Sequence, residues 1–112
     1  MAIYSNFTID QGTSFKANID ITDSDGDALS LIGYTVAGQL RKSFASTTFT
    51  AFTSSVSNES NGTIEIVLSP TQTGELKSGR YVYDVEITKT STGEITRVIE
   101  GQIEVTPGVT RT

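Results

Sequence analysis

Three carboxylates stand in one short run, Asp23-Ser24-Asp25-Gly26-Asp27, and such a set on a loop can converge its oxygens on a hard cation such as calcium. The spacing argues against a specific site. In an EF-hand the glycine follows the third acidic position and a glutamate closes the loop six residues later; here Gly26 precedes Asp27 and that glutamate is missing. The run reads instead as a solvated hairpin turn favoured by Asp-Gly. Asp84 and Glu86, two apart, share a strand face as catalytic carboxylates do when a cleft separates their pKa values. The sequence supplies no sign of a cleft, and acids alternating with apolar residues are what the wet side of a strand shows. Arg41, Arg80 and Arg97 are candidates to pair with these acids across strands, adding register more than energy.

Other chemistries have less to work with. The chain has no His, the usual general base near neutral pH and the commonest zinc ligand, so triads with a His base and His-bound metals are excluded. Its many Ser and Thr hydroxyls lie in neither G-x-S-x-G nor S-x-x-K. The glycines are spread among turns and form no phosphate-cradling loop. Asn6-Phe7-Thr8, Asn58-Glu59-Ser60 and Asn61-Gly62-Thr63 match the glycosylation sequon, yet MAIYSNFTID lacks the charged and apolar regions of a signal peptide. Catalytic, cofactor-binding and metal-binding residues are therefore expected to be none.

Composition bounds the partners. A net charge of −5 with eight scattered basic residues disfavours nucleic acid and anionic membranes, which need clustered Lys and Arg. No apolar run approaches the roughly 20 residues that span a bilayer. With no Cys the fold owes nothing to disulfides, and 112 residues suffice for one core. These features lead to the expectation of a protein made in the cytoplasm without processing.

The elements that must position any site are strands. Apolar residues alternate with period two in segment after segment, each bounded by turn residues. Ile3 to Ile9 opens, with Phe7 and Ile9 on one face, and stops at Asp10-Gln11-Gly12. Phe15, Ala17, Ile19 and Ile21 then face one way, and Lys16, Asn18, Asp20 and Thr22 the other. Leu29 and Leu31 plug one end of the core before Tyr34, Val36, Gly38 and Leu40 share a face, with Arg41-Lys42 as a polar exit. Residues 43–57 are rich in Ser and Thr with Phe44, Phe49, Phe52 and Val56 unevenly spaced, which reads as a mobile loop and a weak strand.

Asn58 to Gly62 is a turn, Thr63 to Ser69 a strand with Ile64, Ile66 and Leu68 inward, and Thr71 to Leu76 one helical turn after Pro70. Arg80 to Thr90 puts Tyr81, Tyr83, Val85 and Ile87 inward, with Val82, Asp84 and Glu86 on the other face. After Ser91-Thr92-Gly93 the final strand places Ile95, Ile99, Ile103 and Val105 on one face with Arg97 and the pivot Gly101. About seven short strands in one domain, residues 1–108 followed by a tail 109–112, predict an all-β, immunoglobulin-like antiparallel β-sandwich. Leu76, Gly79, Tyr81 and Tyr83 are spaced like the tyrosine corner of that fold, Tyr83 standing where its second cysteine would be; Tyr81 reads equally as an ordinary cross-strand aromatic.

The order of several segments resembles short immunoglobulin-like virion proteins of tailed bacteriophages, including T4-like phages of marine cyanobacteria, and the N-terminal domain of phage baseplate upper proteins. The segments are Phe7 to Phe15, Asp25-Gly26 with Leu29 to Tyr34, Leu76 to Val85, and Glu100 to Val105 with Val109-Thr110-Arg111. The resemblance implies a non-enzymatic virion component with no cofactor. Its partners would be other virion proteins of the tail, baseplate or capsid, met in multiple copies or as a homo-oligomer, with no nucleic acid or membrane partner. Since no coiled coil or receptor-binding region follows the domain, the expectation is an adaptor of the tail or baseplate, docking through its first and last strands and residues 43–57; capsid-surface decoration is the alternative. A carbohydrate-binding module ranks lower: it would stack sugars on Tyr4, Tyr34, Tyr81 and Tyr83, three of which look core-facing, and Trp is absent.

Overall fold

The computed structural model describes residues 3–23 and 25–109, so Ser24 of the acidic turn and Thr110 to Thr112 of the tail lie outside the described residues. The strands are β1 (Ile3–Tyr4), β2 (Phe7–Asp10), β3 (Phe15–Asp20), β4 (Tyr34–Arg41), β5 (Thr50–Ala51), β6 (Thr53–Asn58) and β7 (Thr63–Leu68). A short helix α1 (Pro70–Glu75) precedes β8 (Gly79–Lys89) and β9 (Ile95–Thr106). One sheet has the order β1-β9-β8-β4-β5, with β2 also beside β9, and the other has the order β3-β7-β6. That partition, with the second, fifth and fourth strands of the expected seven facing the third, sixth and seventh, is the immunoglobulin-like sandwich.

The inward residues of both sheets close one core. Ile64, Ile66 and Leu68 of β7 and Val85 and Ile103 of the other sheet have no exposure, and Ile9, Leu31 and Leu40 are buried with them. Four rings tie the layers together: Phe7 to Phe15 at 5.6 Å, Phe15 to Phe52 at 6.3 Å, Phe52 to Tyr83 at 6.1 Å, and Tyr83 back to Phe7 at 5.6 Å. These spacings fall in the range where edge-to-face and tilted pairs add to burial. The helix expected near residues 71–76 spans Pro70–Glu75 and opens on a capping box: Gln72 N–H donates to Ser69 Oγ and Ser69 N–H to Gln72 Oε1.

Four expectations need correction. The opening strand is two pieces, and both run parallel to β9, so the larger sheet is mixed rather than antiparallel. The break at Ser5-Asn6 has a local cause: the chain crosses over Gly101, where a Cβ would overlap the Ser5 carbonyl oxygen. Asn6 Oδ1 then accepts Gln102 N–H at 2.9 Å in place of a backbone acceptor. Residues 43–57 give two strands, β5 and most of β6, and bury Phe52, whose N–H donates to Gly38 O at 2.9 Å.

Ile95 and Arg97 do not share the core face. The β8–β9 register shifts between Val85 and Glu86, leaving Val98 unpaired, and such a bulge moves every residue before it to the opposite face. Ile95 is therefore 60% exposed and Val98 is buried. Finally, most of the last strand offers no docking edge, since β9 is flanked by β8 on one side and, from Ile99 to Thr106, by β1 and β2 on the other.

Candidate functional site

The tyrosine corner is present. Tyr81 Oη donates to Lys77 O at 2.7 Å, four residues upstream, and its ring carries Lys42 Nζ at 4.8 Å from the centroid. Tyr83, two residues on and facing the same side, donates to Ser5 O at 2.6 Å. Burial pushes the Tyr83 phenol well above its ordinary range, and the neighbouring Tyr4 phenol adds to the shift. Both rings are buried and Tyr34 is half-buried, which removes them as sugar-stacking platforms.

The acidic turn is held by its own backbone. Asp23 Oδ1 accepts Asp25 N–H at 2.9 Å and Asp27 N–H at 3.0 Å, and Gly26 N–H closes on Asp23 O. Such a side-chain-to-backbone arrangement is the ordinary Asx turn. Among the described residues no three acidic side chains are grouped to hold a metal ion. Asp84 and Glu86 share the outer face of β8, as their spacing requires. Asp84 is not paired with a second acid: Arg97 Nε meets its Oδ2 at 3.1 Å, while Arg97 Nη1 reaches Glu100 Oε1 at 3.5 Å. Of the three arginines, Arg97 alone pairs with an acid among the described residues. Arg41 donates to Ser46 O at 2.6 Å and Gln39 Oε1 at 3.0 Å, and lies over the Phe49 ring at 5.0 Å.

These groups meet in a groove of about 280 Å³ on the outer face of the larger sheet. Its floor is Val82, Gly101 and Gln102 from β8 and β9. Tyr4 of β1 and Phe44 of the β4–β5 connection also line it, 65% and 83% exposed. Its charged lining is Arg41, Asp84, Arg97 and Glu100, two cations and two anions, so the groove is locally balanced in a chain of net charge −5. Two exposed rings, two arginines and paired charges over a floor of Val82, Gly101 and Gln102 give this face both apolar area and a fixed charge pattern. Tyr4, Tyr83, Asp84, Arg41 and Arg97 are each singled out in the sequence, but for different chemistries and not as one site. Phe44 carries the one available signal, an aromatic residue in a Ser/Thr-rich stretch with no apolar alternation to draw it inward.

No family model matches the chain, and no curated protein matches it. Among solved structures, InlP of Listeria monocytogenes superposes on 94% of the chain with a TM-score of 0.50 at 17% identity, using 28% of its own length. A family 123 glycoside hydrolase from Clostridium perfringens covers 96% at TM-score 0.46 and 15% identity over 23% of its length. The NK cell receptor NKp44 covers 95% at TM-score 0.49 and 10% identity over 99% of its length. The chain thus spans less than a third of the first two proteins, and the likeness at these identities is one of fold.

Proposed function

We propose that the chain is a non-enzymatic docking module of a tailed-phage virion, serving as an adaptor in the tail or baseplate region. The observation supporting docking is the outer-sheet groove, where Tyr4 and Phe44 stand exposed beside charges already paired with one another. Arg97, Asp84 and Glu100 present a preset pattern to a partner, while the two rings supply apolar area to cover. The virion setting is supported by the ordered resemblance of residues 7–15, 25–26 with 29–34, 76–85, and 100–105 with 109–111. It implies other virion proteins as partners and repeated copies, each held by modest contacts that a symmetric particle multiplies.

The test is quantitative mass spectrometry of purified particles from a phage encoding the chain. Copy numbers from a few to tens fit a baseplate adaptor, and hundreds move the site to the capsid surface, as in decoration. Absence from the particle removes the virion reading. Replacing Tyr4 and Phe44 by alanine together is expected to strip the protein from the particle while leaving the purified chain folded.

A further inference from the structure

Three of the free sheet edges are blunted. The β1/β2 edge is interrupted at Ser5-Asn6, β5 has two residues, and β6 carries a register irregularity between Val56 and Asn58. Strand β3 is different. It pairs regularly with β7 from Phe15 to Asp20, contains neither Gly nor Pro, and among the described residues has no strand on its other side. A straight, unpaired edge of this kind is a template for another strand.

Its backbone restricts what that strand can be. Ile21 N–H donates to Gly62 O at 2.8 Å, in the β7 direction. Backbone groups alternate sides along a strand, so Ala17 and Ile19 also turn theirs toward β7, while Lys16, Asn18 and Asp20 turn theirs to the open edge. A second β3 arriving antiparallel must therefore bond even-numbered residues to even-numbered residues. Centring the two-fold on Ala17 sets Lys16 opposite Asn18, and centring it on Ile19 sets Asn18 opposite Asp20. Centring it on Asn18 sets Lys16 opposite Asp20 of the second copy, and Asp20 opposite Lys16. On the inner face the same register brings Ala17 against Ile19, both half-buried now, and extends the core across the joint.

We infer that two copies of this chain associate through their β3 edges, antiparallel and centred on Asn18, with Lys16 and Asp20 of the two copies forming reciprocal ion pairs. A lysine on an edge ordinarily guards against pairing. Here it is self-complementary, because Asp20 lies four residues along the same face. Lys16 Nζ is 3.9 Å from Glu65, and Asp20 Oδ1 already accepts Thr63 Oγ1 at 2.7 Å, so both charges are tethered on the exposed face of this sheet. The surface is isologous and belongs to the smaller sheet, so this inference stands or falls apart from the groove on the larger one.

The absence of cysteine makes the test direct. In the Asn18-centred register the two Asn18 Cα atoms lie about 5.5 Å apart, within disulfide range. Asn18→Cys is expected to oxidise to a covalent dimer at least about tenfold faster than Ser55→Cys on the exposed face of β6. Adding Lys16→Asp or Asp20→Lys should slow that cross-linking about tenfold, and adding both should restore it. Asn18→Pro, on an edge position whose N–H faces out, should keep the thermal midpoint and abolish the dimer in sedimentation velocity. Equal cross-linking rates at positions 18 and 55, a folded double reversal that stays slow, or a wild-type chain monomeric at about 1 mM would each overturn the inference.

Discussion

Tyr83 Oη donates to the carbonyl oxygen of Ser5 at 2.6 Å, joining β8 to the point where the first strand breaks. Ser5 N–H donates to Glu100 O on the other side, and Gly101 lies directly beneath. The break in the opening strand is thus a three-point junction of Ser5, Tyr83 and Gly101, the last two of which also line the outer groove.

Gly101 is where this junction is least forgiving. A methyl group at 101 overlaps Ser5 O and crowds Asn6 Oδ1, both anchored, so the first strand must move. Gly101→Ala is expected to cost about 2–3 kcal/mol in urea denaturation, the range for overpacking a close contact, and to expose more of β9 to hydrogen exchange. An unchanged midpoint would show that Ser5 can shift freely.

Tyr83 gives the junction a pH dependence. Its folded-state phenol titrates above its unfolded value, so the contribution is complete below the unfolded pKa of about 10 and declines as pH rises beyond it. The wild-type chain is expected to lose stability progressively above about pH 10, and Tyr83→Phe, though less stable near neutrality, to lose less over the same alkaline interval. Parallel stability curves for the two proteins above that pH would assign the alkaline loss to other groups.

Tyr81→Phe isolates the corner bond, because the ring and its contact with Lys42 remain. A loss of about 1 kcal/mol is expected for one hydroxyl bond to a backbone carbonyl. Thermal unfolding indistinguishable from wild type would mean that Lys77 O finds water instead.

Thr73 is the one polar side chain in α1 that is fully buried. Its hydroxyl donates to Thr13 O at 2.7 Å and accepts Gly12 N–H at 3.1 Å, fastening the helix to the β2–β3 turn. Thr73→Val keeps the shape but leaves both groups without partners, with an expected cost of about 2 kcal/mol; Ser69→Ala, which removes only the cap, should cost about 1 kcal/mol. Denaturant titration in which the cap variant proves the weaker of the two would reverse this assignment.

The sequence exposes most of the sandwich because period-two alternation is local. Phe15 to Ile21, Tyr34 to Leu40 and Tyr81 to Ile87 show their inner faces without reference to a partner strand, and the corner tyrosine shows by its distance from Leu76 and Gly79. What stays hidden depends on distant chain. Ile95 shares odd numbering with Ile99 and Ile103, and only the register against β8 reveals that Val98 interrupts it. Phe52 sits in a Ser/Thr-rich stretch with no period of its own; its place is set by Gly38, where a Cβ would stand 3.1 Å from its ring. The groove is less legible still, since its residues come from β1, β4, the following loop, β8 and β9, and nothing local brings Tyr4, Arg41, Asp84 and Arg97 together.

The parallel contact of β2 with β9, Phe7 beside Ile103 through Asp10 beside Thr106, has a mechanical consequence. Tension applied between Ile3 and Thr106 pulls these two strands along their axes in opposite directions, so the bonds between them strain together instead of opening one by one. A molecule stretched this way in a force spectrometer should resist as a clamp, yielding at a single high rupture peak, whereas handles at Gly79 and Val105, a facing pair at the open end of the β8–β9 hairpin, would pull its strands apart stepwise at lower force.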